Sequence, residues 1–221
     1  MTLDGEVGMR TIGVPVVHAV TNDEVIARTD FIDVACAVMR ALGARGALHL
    51  RGSRITGARL QTLAEGLAAA QGLTGAWLII NDRIDIALAA GARGAQLTSR
   101  SLAAQDARRV APMLAIGASV HDLDEGREAV SAGADWLVAA QLVASGLQPG
   151  WPHLGLAWVK TLVASTTVPV IAIGGIQPGH ASALRDAGVH GVAVIRGIWD
   201  APNAERAATE YLSAYDDPAG G

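Results

Sequence analysis

Two glycine-bearing segments carry the clearest chemical signal in this sequence. Gly174-Gly175 follows the apolar, β-branched run 168–173, and Arg196-Gly197 follows a second such run at 191–195. Glycine leaves backbone N–H groups uncovered, so an anion can approach them closely, and the arginine adds a positive charge. If the two runs are neighbouring parallel strands, Gly174, Gly175, Arg196 and Gly197 form a phosphate cradle at their carboxyl ends.

The remaining chemistry-bearing side chains also fall at the ends of apolar runs. They are His18, Thr21 and Asn22, then His49 and Arg51, then Asn81 and Asp82, then Thr98, Ser99 and Arg100, then Ser119 and His121, and finally Gln141. Histidine titrates near neutrality and moves protons either way, which makes His121 the leading acid/base candidate. Each of these residues also has a structural reading. His18 and His49 could be hydrogen-bonded structural residues, Arg51 an ion-pair partner, and Asn81-Asp82 a helix cap. Of the other histidines, His190 precedes its strand and belongs to the opposite end, His153 falls in a loop and His180 at a helix start.

What is absent narrows the chemistry. The one lysine, Lys160, falls on a helical segment, which argues against a Schiff-base lysine on a strand. The first strand has no His-x-His pattern, no strand-end carboxylates are paired at metal-ligand spacing, and no G-x-G-x-x-G follows a strand. Phosphate anchoring with acid/base work remains, and neither a resident metal nor a redox cofactor is expected.

The pattern that must position these residues is an alternation of eight strands and eight helical segments. The strands are expected at 14–20, 46–50, 76–80, 94–97, 114–120, 135–139, 168–173 and 191–195. Helical spacing falls at 30–42, 59–70, up to Ala90, 102–110, 122–132, 156–164, 178–187 and 201–215. The fold expected is α/β, a single (β/α)8 TIM barrel over residues 1–221. Residues 1–11 read as a loose arm, 216–221 as a frayed tail, and the long connection 140–155 as a binding loop or lid.

Composition agrees. The chain has 221 residues, of which 51% are hydrophobic and 17% charged, with a net charge of −4. That balance allows a large core and gives no basic footprint for nucleic acid or an anionic membrane. A single cysteine, Cys36, cannot close an intrachain disulfide, so a reducing, cytoplasmic setting is the default expectation. No signal-peptide pattern or membrane-spanning apolar run is present. The sequence leaves oligomeric state open and permits a homo-oligomer.

The ordered motifs resemble the thiamin phosphate synthase/TenI family from His18 to about Tyr215. The stretches that carry the resemblance are His18-Ala-Val-Thr-Asn-Asp23, Leu48-His-Leu-Arg51, Ile79-Ile-Asn-Asp-Arg83, Gly94-Ala-Gln-Leu97, Gly117-Ala-Ser-Val-His121, Gly133-Ala-Asp135 and 171–198. For the synthases of this family the resemblance implies coupling of a pyrimidine pyrophosphate to a thiazole phosphate with Mg2+. The departures lie on that side. The Gln-x-Arg-x-Lys motif is here His49-Leu-Arg51-Gly-Ser53, Ser101 stands where an Asp helps to hold Mg2+, and 143–149 contains no lysine; Asp82 alone matches.

These departures favour the TenI branch, a cofactor-free thiazole tautomerase and therefore an isomerase, with a small phosphorylated thiazole as its substrate. On that expectation His121 shuttles the proton, Arg51 orients a carboxylate, His18, His49, Asn81 and Ser119 line the substrate, and the four cradle residues hold its phosphate. The synthase itself, or a non-catalytic TenI-like binding or regulatory protein, are the alternatives.

Overall fold

A computed structural model describes residues 12–140 and 155–216. The expected arm, tail and 140–155 loop fall almost wholly outside the described residues. In chain order the elements are β1 (Val17–Val20), α1 (Asp23–Ile26), α2 (Phe31–Leu42), β2 (Gly46–Leu50), α3 (Gly57–Thr74), β3 (Trp77–Asn81), α4 (Ile84–Ala90), β4 (Gly94–Leu97), α5 (Ala104–Val110), β5 (Ala115–Val120), α6 (Leu123–Ser131) and β6 (Trp136–Ala140). Then follow α7 (Gly155–Ser165), β7 (Val170–Ile173), α8 (Ala181–Asp186), β8 (Gly191–Val194), α9 (Arg196–Trp199) and α10 (Ala204–Asp216).

The eight strands pair in parallel, each with the next, and β8 returns to β1, so the sheet is a closed barrel. The strands read as continuous apolar runs because both of their faces are buried. One set of side chains, including Ala47, Trp77, Ile79, Ala115, Trp136, Val138 and Ile171, fills the barrel interior. The opposite set, including Leu48, Leu78, Ile80, Ile116 and Leu137, packs beneath the helices. Helix starts follow local chemistry. Asn22 caps α1 by accepting from the Val25 N–H at 2.9 Å, and Asp122 caps α6 by accepting from the Glu125 N–H at 2.8 Å.

Differences from the expected elements lie at ends and short turns, and in two added four-residue helices, α1 and α9. The first strand begins at Val17 instead of residue 14, since Val14 is taken into a turn with Ile12 while the Val16 N–H reaches the Arg45 carbonyl. The expected 178–187 helix is a 3-10 turn, Pro178–His180, followed by α8. The His180 ring nitrogen Nδ1 accepts from the Gln177 N–H at 3.1 Å, so this histidine serves the turn.

Closure depends on a close approach at Gly191. A Cβ there would lie 2.4 Å from the carbonyl oxygen of Val16 and 2.8 Å from its Cα, which are rigid backbone atoms. Gly191→Ala is therefore expected to push β1 from β8 and cost about 1–3 kcal/mol, the usual range for overpacking. Urea denaturation measures this, and an unchanged midpoint would contradict the close packing.

Candidate active site

The carboxyl ends of β7, β8, β1 and β2 surround a cavity of about 780 Å3. Gly174, Gly175, Gln177, Arg196 and Gly197 line one side, Asn22, Glu24 and Arg51 the other, with Asp200 and Tyr211 contributed from the α9–α10 side. Gly174 and Gly175 have φ of 119° and 64°, a backbone region that glycine enters at no steric cost. A Cβ on Gly197 would lie 2.1 Å from the Tyr211 hydroxyl oxygen, and that hydroxyl donates to the Ile176 carbonyl at 2.8 Å. The cradle sequence is thus held shut from behind by α10. Among the described residues, no carboxylate forms an ion pair with the guanidinium of Arg51 or Arg196.

Thr21, Asn22 and Asp23 build the opposite wall. The Thr21 hydroxyl donates to the Arg51 carbonyl at 2.9 Å and accepts the Arg51 N–H at 2.8 Å. The Asp23 carboxylate accepts from the Ser53 hydroxyl at 2.5 Å and from the Ser53 and Arg54 N–H groups at 3.1 and 2.9 Å. The Ser53 hydroxyl bond leads the causes that lower the Asp23 carboxyl to about 2. This hydrogen-bonded loop presents Arg51, and the Thr-Asn-Asp motif reads in structure as its support. Glu24, Gln177, Asp200 and Tyr211 escaped sequence reasoning because they lie on turns and helices rather than at strand ends.

His18 and His49 do not line this cavity. Both are buried in the barrel, and the His18 Nδ1 to His49 Nε2 distance is 2.7 Å. The Pro15 carbonyl, which can only accept, lies 2.9 Å from His18 Nε2, so that nitrogen carries the hydrogen. Burial lowers His18 to about 4 and holds His49 well below the usual histidine range. Both rings are therefore uncharged, and the His49 Nε2–H donates to His18 Nδ1. The Asn81 Oδ1 is buried without a partner among the described residues.

The other expected residues occupy a different part of the mouth. His121 ends β5 with its side chain 38% exposed, and its Nδ1 lies 3.0 Å from Glu125, which also accepts the His121 backbone N–H at 2.7 Å. Neither His121 nor Ser119 lines the cavity of the phosphate cradle. Asp82 has a positive φ of 62°, and its Oδ1 accepts the hydroxyls of Thr98 and Ser101, each at 2.5 Å. No group of three or more His, Cys, Asp or Glu side chains among the described residues could hold a metal ion. A single carboxylate with one oxygen already accepting two hydroxyls does not fit a protein-made Mg2+ site.

Fold and cavity together define a (β/α)8 barrel whose glycine-lined pocket opens at the carboxyl ends of its strands. The family described as Thiamine monophosphate synthase (TMP-TENI) matches residues 17–198, and the chain belongs to that family. It is similar to a thiamine-phosphate synthase of Methanoculleus marisnigri, 34% identical over 88% of this chain and 94% of the relative. It is also similar to one of Pyrococcus furiosus, 35% identical over 66% of this chain and 70% of the relative. Among solved structures, a thiamine phosphate pyrophosphorylase from Pyrococcus furiosus superposes with a TM-score of 0.79 at 27% identity, covering 93% of this chain and 97% of that one.

These relatives overturn the expected tautomerase and with it the assignment as an isomerase, since they are synthases, that is, transferases. That expectation weighed a few rim departures, at Ser53, Ser101 and 143–149, above a similarity that runs through the whole barrel. No described helix is long and apolar enough to cross a membrane.

The buried histidine pair makes a direct prediction. An uncharged pair favours the folded state at neutral pH, and that contribution falls as pH drops from about 6.5, the unfolded value, towards about 4. For His18 alone the loss is about 3 kcal/mol at about 1.4 kcal/mol per unit. An NMR titration of the His18 ring should show no protonation above pH 5, whereas a midpoint near 6.5 would refute the buried, uncharged pair.

Proposed function

We propose that the chain is a thiamine-phosphate synthase-type transferase that joins a pyrimidine pyrophosphate to a thiazole phosphate and releases pyrophosphate. The single observation that carries this reading is the cavity in which Gly174, Gly175, Arg196 and Gly197 face Arg51 across the barrel mouth. A glycine-lined wall and two guanidinium groups without ion-pair partners among the described residues suit a pocket that must take phosphate groups from phosphorylated substrates. The synthase names of the full-length relatives support the reaction assigned.

In this arrangement the glycine N–H groups hold the phosphate in a fixed place, and the loop tied down by Thr21 and Asp23 fixes Arg51. Positioning of this kind lowers the entropy cost of bringing two substrates together. The guanidinium groups stabilise negative charge that grows on a departing pyrophosphate. His121 and Ser119, across the mouth, are left to meet the end of the ligand away from the phosphate. A second reading, a protein that binds the thiazole phosphate without turnover, is favoured by Asp82, whose Oδ1 is occupied by Thr98 and Ser101.

A coupled pyrophosphate-release assay with both substrates separates the two. Release is expected from the wild type, and Arg51→Ala should lower kcat/KM by about a hundredfold or more, the scale of a lost charge-stabilising group. Tight binding of thiazole phosphate with no release under any divalent-metal condition would leave the binding protein as the correct reading.

A further inference from the structure

A second polar chain crosses the barrel interior, and its direction is fixed at one end. The indole Nε1–H of Trp136 donates to Gln96 Oε1 at 3.0 Å, and Gln96 Nε2 donates to the Ser119 hydroxyl oxygen at 3.1 Å. An indole nitrogen can only donate, so the Gln96 amide has no freedom to flip: its oxygen faces Trp136 and its NH2 faces Ser119. Trp136 is fully buried and Gln96 is 2% exposed, so water does not compete for the bond between them.

The strand between them is shaped around this chain. Gly117 of β5 is the register partner of both Gln96 and Trp136. A Cβ there would lie 2.1 Å from the Trp136 ring and 2.4 Å from Gln96 Oε1. The Gly-Ala-Ser of β5 therefore opens space for the indole and amide and places Ser119 two residues on, where it is the one half-buried residue of an otherwise buried strand.

We propose that Trp136 and Gln96 are positioning residues that make Ser119 a hydrogen-bond donor to the ligand. The Ser119 oxygen already accepts from Gln96, and its hydroxyl has no acceptor among the described residues. Its hydrogen is therefore turned to the barrel mouth, where it selects a ligand that presents a ring nitrogen or oxygen acceptor at the end away from its phosphate. The ligand named in the test rests on the synthase reading, because the product of that reaction carries acceptor nitrogens on its pyrimidine ring.

Calorimetric titration of thiamin phosphate and of inorganic phosphate into the wild type, Ser119→Ala, Gln96→Met and the double variant tests this. Both single variants should bind thiamin phosphate about tenfold more weakly, the cost of about one hydrogen bond. The double variant should bind no more weakly than Ser119→Ala, because Gln96 acts through Ser119. Inorganic phosphate should bind all four proteins alike, which a general loss of structure would not allow.

Should Gln96→Met fail to fold, Gln96→Glu replaces it. Its carboxylate accepts from both neighbours, draws the Ser119 hydrogen inward and should weaken thiamin phosphate to the same degree. Unchanged affinity in Ser119→Ala, or an undiminished Gln96 effect on the Ser119→Ala background, would overturn the relay. A wild type that binds no thiamin phosphate would instead overturn the synthase reading and, with it, the ligand assigned to Ser119.

Discussion

The return of β8 to β1 is the interaction on which the rest of this structure depends. It pairs Val17 with Val192 and His18 with Ala193, and it requires that position 191 carry no side chain. The cavity lies across that seam. Its glycine side comes from the ends of β7 and β8, and its Arg51 side from the loops after β1 and β2. In an open sheet the two halves of the cradle would lie at opposite edges. Closing the barrel therefore satisfies the last strand edge and assembles the pocket in one step.

Two directed hydrogen-bond chains inside the barrel show how polar groups are kept where most neighbours are apolar. In one, the Pro15 carbonyl fixes His18, which fixes His49. In the other, the Trp136 N–H fixes Gln96 and then Ser119. Each starts from a group with a single hydrogen-bonding role, so each has one possible polarity. Unpaired, these side chains would each incur a desolvation penalty of about 1–3 kcal/mol; paired, they set the orientation of groups nearer the mouth.

Much of the fold was legible in the sequence, for a physical reason. Strands buried on both faces must be apolar throughout, so β2 and β4 fall at 46–50 and 94–97 as expected. The Gly174-Gly175 and Arg196-Gly197 segments were legible as a shared wall because their glycines follow neighbouring strands. Arg51 joins them in the same cavity. The roles of His18 and His49 were not legible. A strand-end histidine looks alike in sequence whether it turns to solvent or to a second histidine 2.7 Å away. Nor could motif spacing reveal that Gly133-Ala-Asp135 is structural: the Asp135 carboxylate accepts from Arg108 at 2.6 Å and from the Ile116 N–H at 2.7 Å, tying α5 and β5 to the start of β6.

The choice between family activities was the least legible part. It hung on a few side chains whose loss is visible in sequence but whose replacements act locally, as Ser101 does when it donates to Asp82 at 2.5 Å. The central claim is the phosphate cradle across the barrel seam. A crystal structure with thiamin phosphate bound tests it most directly. The account predicts the phosphate within hydrogen-bond distance of the Gly175 and Gly197 N–H groups, with Arg51 facing it and the pyrimidine towards Ser119. A phosphate seated anywhere else on the barrel, with the cradle left to water, would contradict it.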